Sequence, residues 1–204
     1  MGRTNYIFVD FENVQETDVD RVAGKNVKIF FVLGVRHKSL PTKLTMKLLK
    51  FASQVEIVET GQNGKNALDL VLAYHVGVTA KADPQGYFHF ISKDKDFDAL
   101  ISHLKSSGKL AGRHVSFAET PILMNLVERV KFVKEHFTNV SNGFPKKKAA
   151  LISQLQHLFG KELSTEEVEA TIVELQKAKL LKISDAGAVT YPSPKPANHS
   201  PHSS

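Results

Sequence analysis

Short apolar runs rich in Val, Ile and Phe recur at residues 6–9, 27–33, 55–58, 87–91 and 114–117. Each has the length of a strand and is almost unbroken by polar residues, the pattern of strands buried on both faces. Between the runs the apolar positions change period. Leu44, Leu48, Phe51 and Ala52 make one stripe, Leu100, Ile101 and Leu104 a second, and Leu123, Leu126, Val127 and Val130 a third. This is the spacing of amphipathic helices. Residues 67–76 are apolar nearly all round, so a helix there is expected to be buried. Five alternating β–α units predict a mostly parallel sheet with helices on both faces. In such sheets ligands bind beyond the carboxyl ends of the strands, where the strand order reverses.

The pattern stops at NVSNGFPKKK, whose Asn, Ser, Gly and Pro mark a linker at 139–147. Residues 1–138 then form the α/β domain. Beyond the linker, 149–159 is helix-like, and Ser164 with Glu167 three positions on forms a capping box for a second helix striped by Val168, Ile172 and Leu175. Alternation of Leu181 and Ile183 against Val189 and Tyr191 around 185–187 predicts a hairpin. Two helices and a hairpin over 148–192 suggest a small winged-helix-like α+β module. Residues 193–204, rich in Pro and Ser, are expected to be disordered.

A formal net charge of +6 is compatible with a polyanionic partner and equally with solvated lysines on helix surfaces. The absence of cysteine excludes disulfides and thiolate metal sites. No apolar run approaches the roughly 18 residues needed to span a bilayer, and MGRTNYIFVD lacks the long apolar core of a signal peptide. The expectation is a cytoplasmic protein with no membrane partner.

Acids fall where apolar residues have just ended. The run YIFV leads straight into Asp10, with Glu12 and Asn13 close behind; Asp69 is the sole acid in NALDLVLAYHVG; and the run at 87–91 passes into Asp94, Asp96 and Asp98. Glu119 follows the last run. Each has a purely structural reading. Asn66 and Asp69 have capping-box spacing, Asp96 or Asp98 could cap the helix near Ala99, and Glu12 could be solvated. Taken together they point elsewhere. Asp10 and Asp94 both lie past a buried parallel strand, at one edge of the sheet, where neighbouring carboxylates repel. A hard divalent cation, Mg²⁺ or Mn²⁺, relieves that repulsion. None of the nine histidines shows H-E-x-x-H spacing, and His75 reads as a core residue. No G-x-G-x-x-G or P-loop pattern is present, and GQNGK, with Lys65, is a weak phosphate signal.

YIFVDFENVQ, GKNALDLVLAYHVG and FHFISKDKDFDALISHL resemble, in order and spacing, the motifs of the PIN-like superfamily and especially its NYN branch. The resemblance implies a Rossmannoid sheet of order 3-2-1-4-5 over about residues 5–137. It also implies a metal-dependent nuclease acting on RNA, with relatives among flap-type DNA nucleases. By motif, Asp10, Asp69, Asp94 and Asp96 match the metal-binding acids and Asn13 the amide that follows the first of them. The family's glycine before the third acid is Lys93 here, and Asp96, Asp98 and Glu119 compete for the fourth place. The C-terminal module is similar to winged-helix-like domains that follow some members.

Basic residues border the same edge. Arg36 and Lys38 follow the second strand, and Lys43, Lys47 and Lys50 share a helix face. With Lys65 and Lys93 they form a candidate backbone-binding rim. The expected activity is hydrolysis of RNA, single-stranded by preference, by a metal-activated water. The alternatives are a non-catalytic RNA-binding adaptor and a DNA-directed nuclease. A homodimer stays open, and the C-terminal module, whose second helix starts with Glu166, Glu167 and Glu169, is expected to meet protein or RNA rather than a DNA groove.

Overall fold

The structure is a computed structural model that describes residues 3–35, 37, 39–62, 64, 66–139 and 143–192. Arg36, Lys38, Lys65 and the tail 193–204 lie outside the described residues, as does part of the expected linker. The chain divides between Asn125 and Leu126 into two compact units. The first therefore ends earlier than the residue 138 expected from the sequence.

In the first unit five strands, β1 (Asn5–Asp10), β2 (Val27–Leu33), β3 (Val55–Glu59), β4 (Tyr87–Ile91) and β5 (Leu110–His114), form one sheet in the order 3-2-1-4-5. Every neighbouring pair is parallel. The connections carry α1 (Thr42–Lys50), α2 (Ala67–Ala82) and α3 (Phe97–Ser106), with short 3₁₀ turns at Val19–Val22, Phe117–Glu119 and Pro121–Leu123. Parallel strands need such crossovers, and the helices cover the sheet on both faces.

Because β1 is central, its side chains alternate between two buried layers. Ile7 and Val9 join Ile29, Phe31, Leu44 and Leu48 on the α1 side. Phe8 joins Phe30, Phe88, Phe90, Leu72 and Val76 on the side of α2 and α3. Phe8 stacks on Phe30 with ring centroids 4.8 Å apart, so aromatic packing adds to the area removed from water.

The fifth strand occupies Leu110–His114 rather than 114–117. LAGRH carries no apolar run, yet it pairs along the edge of β4 from Tyr87↔Leu110 to Ile91↔His114. The apolar signal at Phe117 belongs to a 3₁₀ turn that drives this fully buried ring into the α1-side core. Hydrogen bonding to a neighbouring strand outweighs local propensity here. Residues 67–76 depart from expectation too. Leu68, Leu72 and Val76 are buried, but Leu70 and Tyr74 are two-thirds exposed, so α2 turns only one side to the sheet.

A polar group crosses the core beside the edge strand. His89, fully buried, donates through Nε2 to Asn5 Oδ1 at 2.8 Å and hydrogen-bonds through Nδ1 with His114 Nε2 at 3.1 Å, and it stacks on Tyr87. Burial holds the His89 imidazole well below its ordinary value. The same cause, with Arg113 second, lowers His114 to about 4. Both rings are neutral structural members. His75 is half-buried, its ring against Phe30.

The second unit contains α4 (Leu126–Asn139), α5 (Lys148–Leu158), α6 (Thr165–Lys177) and an antiparallel hairpin of β6 (Lys182–Ile183) and β7 (Val189–Thr190). Lys147 bridges to Ala188, adding a third short extended segment. The capping box forms as the sequence predicts: Ser164 Oγ accepts from the Glu167 N–H at 3.2 Å, and Glu167 Oε2 accepts from the Ser164 N–H at 3.0 Å. Val168, Ile172 and Leu175 are buried. In α4 the stripe is shifted. Val127 is 78% exposed, and Arg129 and Val133 face inward. Arg129 can turn inward because Glu167 receives its guanidinium at 2.6 Å, which meets the requirement that a buried charge be paired.

Candidate active site

The register of the sheet brings the first two acids together. Val9 pairs with Ile91, so the next residues, Asp10 and Ser92, emerge side by side from β1 and β4. Both are buried. Ser92 Oγ donates to Asp10 Oδ2 at 2.9 Å and accepts the Asp94 N–H at 3.0 Å. Asp94 Oδ1 accepts the Asp96 N–H at 2.9 Å. On the other side the Asn13 N–H donates to Asp10 Oδ1 at 3.2 Å. One serine hydroxyl therefore ties the carboxyl ends of two strands together and fixes the chain path that carries Asp94.

Asp69 arrives from the first turn of α2. Asn66 stands before that helix with φ 63° and makes no side-chain cap bond, so the Asn66–Asp69 capping box does not form. Asp69, half-buried, turns instead toward the strand ends. Asp10, Glu12, Asn13, Asn66, Asp69 and Asp94 line one cavity of about 310 Å³ at the carboxyl edge of the sheet. It lies at the switch point between β1 and β4, from which the strands step away in opposite directions.

The electrostatics of this cavity follow from its contents. Burial raises the Asp10 carboxyl, while the bonds from Ser92 and Asn13 pull it part of the way back. Asp69 is raised by burial first, then by the charges of Asp10, Asp94, Asp96 and Glu12. These carboxylates are close enough to feel one another, and the resulting field favours a cation. Glu12 contributes from above the end of β2, where Gly34 leaves room. A Cβ on that glycine would overlap the Glu12 carboxylate.

The donor set fits a hard divalent ion, being all oxygen with no thiolate or imidazole among the lining residues. Among the described residues, no group of three or more His, Asp or Glu side chains is drawn together tightly enough to hold an ion by itself. Mg²⁺ suits such a spacing because it retains several waters and takes only one or two carboxylates directly.

The competing acids separate cleanly. Asp98 receives Arg113 through Nε at 2.8 Å and Nη2 at 3.3 Å, and that hydrogen bond lowers its carboxyl. Glu119 Oε2 lies 3.4 Å from the Val115 N–H. Asp96 is exposed at the start of α3 and makes no side-chain cap bond. Among the basic residues, Lys43 and Lys93 are exposed. Lys47 is engaged within the unit, 2.7 Å from Asp20 and 4.0 Å from Asp18, so an internal ion pair occupies the ammonium expected to meet phosphate. Ser92 and Arg113 carry no sequence signal for their parts. The serine is ordinary in composition and acquires its role only through the register of β1 on β4.

Among the described residues no helix is long and apolar enough to cross a membrane. Comparison with curated proteins and with solved structures returns no match. A family model described as "PIN7: PIN domain" matches residues 4–114, which span all five strands, the 3-2-1-4-5 order and the acid-lined cavity. That match covers more than half of the chain, and the protein belongs to the PIN-domain family, whose members are typically metal-dependent nucleases.

Proposed function

We propose that the first unit is an NYN-type, Mg²⁺- or Mn²⁺-dependent ribonuclease that hydrolyses phosphodiester bonds of single-stranded RNA. The observation that carries this reading is the convergence of Asp10, Asp69 and Asp94, from three separate elements, on one cavity at the sheet switch point. A divalent ion bound there supplies an activated water and neutralises charge on the phosphodiester under attack. Asp10 and Asp94 hold that ion directly or through water, held in place by Ser92. Asp69 closes the third side, Asp96 assists from the rim, and Asn13 keeps Asp10 oriented through its backbone N–H. Lys43 and Lys93 contact the RNA backbone without reading sequence, joined by Arg36, Lys38 and Lys65. Lys93, replacing the glycine of the motif, stands one residue from Asp94 and meets the phosphate nearest the ion. The second unit is winged-helix-like, its hairpin serving as the wing, and recruits RNA or a protein.

Cleavage of end-labelled single-stranded RNA in Mg²⁺ and in Mn²⁺ tests the reading, alongside single-stranded DNA and flap DNA. Asp94→Asn is expected to abolish cleavage and leave RNA binding within about twofold. Wild-type protein that binds RNA yet never cuts it makes this an adaptor on a nuclease fold. A marked preference for DNA replaces the substrate.

A further inference from the structure

The acid-lined cavity has a flank that the three converging aspartates do not cover. Asp10 ends the central strand β1, Asp94 follows β4 on one side of it, and Asp69 comes from α2. The other neighbour of β1 is β2. Asp96 does not fill the β2 side, because it follows Asp94 at the start of α3 and so repeats the β4 side. Its charge reaches Asp69, yet it is not among the residues that line the cavity. Asp98 and Glu119 are engaged elsewhere, by Arg113 and by the Val115 N–H.

Glu12 does stand on the β2 side. The chain turns sharply after β1, the N–H groups of Asn13 and Val14 both donating to the Asp10 carbonyl, at 3.2 and 2.9 Å. Phe11 enters the α1-side core and leaves Glu12 exposed on the turn. A glutamate in that position ordinarily extends into water. Here its carboxylate folds back over Gly34, the residue after β2, so closely that a Cβ on the glycine would overlap it. Among the described residues no donor or cation meets the Glu12 carboxylate, whereas Asp20 and Asp98 are each paired with a lysine or an arginine. A carboxylate held beside Asp10 without a partner adds to the repulsion of the cavity. A cation between them turns the same position into a favourable one.

We infer that Glu12 supplies the fourth carboxylate around the divalent ion, from the β2 side, and that Gly34 is the gap through which it reaches. The inference rests on the metal site of the proposed nuclease, though not on its substrate. Asp10 then lies between Glu12 on one flank and Asp94 on the other, with Asp69 opposite on α2. Such a set suits a small hard cation, which takes one or two carboxylates directly and the others through its retained waters. The place for which Asp96, Asp98 and Glu119 compete in the sequence goes to none of them.

Mn²⁺ binding to the full chain, read from the paramagnetic resonance signal of the free ion, tests this without RNA. Glu12→Gln is expected to weaken binding by about tenfold or more. Asp96→Asn, which removes an exposed charge, should weaken it by no more than about threefold. Two variants that keep the charge separate a ligand from a distant field. Glu12→Asp shortens the reach and Gly34→Ala pushes the carboxylate aside, and each should also cost about tenfold. Gly34→Ala should cost nothing further once Glu12 is replaced by Gln, since it acts through that side chain. Unchanged binding in Glu12→Gln, or full binding in both charge-keeping variants, overturns the inference and leaves the site of Asp10, Asp69 and Asp94 standing. A larger loss in Asp96→Asn than in Glu12→Gln gives the fourth place to Asp96 and overturns it too. Wild-type protein that binds no Mn²⁺ ends both this inference and the metal site. Binding that depends on Glu12 in a protein that never cuts RNA supports Glu12 and ends the nuclease reading alone.

Discussion

Replacing Ser92 with alanine tests whether one hydroxyl organises the acidic site. The substitution removes the donor to Asp10 Oδ2 at 2.9 Å and the acceptor of the Asp94 N–H at 3.0 Å. Ser92 is 1% exposed and Asp10 4%, so water does not readily replace the bond to the carboxylate. A hydrogen bond to a charged group contributes about 1.5–3 kcal/mol, and a neutral one about 1 kcal/mol. The second loss is softened because Asp94 is only half-buried. The sum is about 2–4 kcal/mol for the first unit. The chain has two compact units, so a single global transition need not report the first alone. Native-state hydrogen exchange at the Val9 and Ile91 amides isolates it.

The same experiment in an Asp10→Asn background supplies the check. If the serine acts through the charge on Asp10, Ser92→Ala costs less in the Asp10→Asn background than in wild type, by about 1 kcal/mol or more. Because the bond to Ser92 pulls the Asp10 carboxyl down against the effect of burial, Ser92→Ala should raise that carboxyl further and weaken Mn²⁺ binding. A loss below about 0.5 kcal/mol, or strict additivity with Asp10→Asn, would refute the reasoning.

In chelator at neutral pH, Asp10→Asn is expected to be more stable than wild type. The folded Asp10 carboxyl is raised by burial, so its contribution to stability is present below the unfolded value and is lost as pH rises through the folded one. Thermal melts should show the gain shrinking on acidification, and Mn²⁺ should raise the midpoint of wild type but not of the variant. His89 and His114 act in the opposite direction. With His114 lowered from 6.5 to about 4 and His89 lower than its ordinary value, stability should fall as pH drops from 6.5 towards 4, and denaturant titrations of His114→Gln should show a shallower fall. Arg129→Ala removes the buried guanidinium that pairs with Glu167 at 2.6 Å, while Glu167 keeps its bond from the Ser164 N–H. It should destabilise the second unit by about 1.5–3 kcal/mol, the contribution of a hydrogen bond to a charged group, read from hydrogen exchange in α6, while leaving β1 and β4 unchanged.

Alternation of buried strands and amphipathic helices, with acids just beyond the strand ends, is written in single runs of sequence. It was enough to imply a parallel sheet, and the motif resemblance implied its 3-2-1-4-5 order, because a strand buried on both faces must be continuously apolar and a polar break in it marks its end. Asp10 and Asp94 were legible for that reason. The rest depended on partners distant in the chain. LAGRH became a strand only by pairing with β4, and Phe117 was drawn into the core by a turn. Lys47 and Asp98 were taken out of the acidic site by ion pairs that sequence does not announce. Asp69 was freed from capping by the left-handed backbone of Asn66. Local periodicity reports which side of an element is apolar. Which side chains meet at an edge is decided by strand register, and register is a property of the assembled sheet.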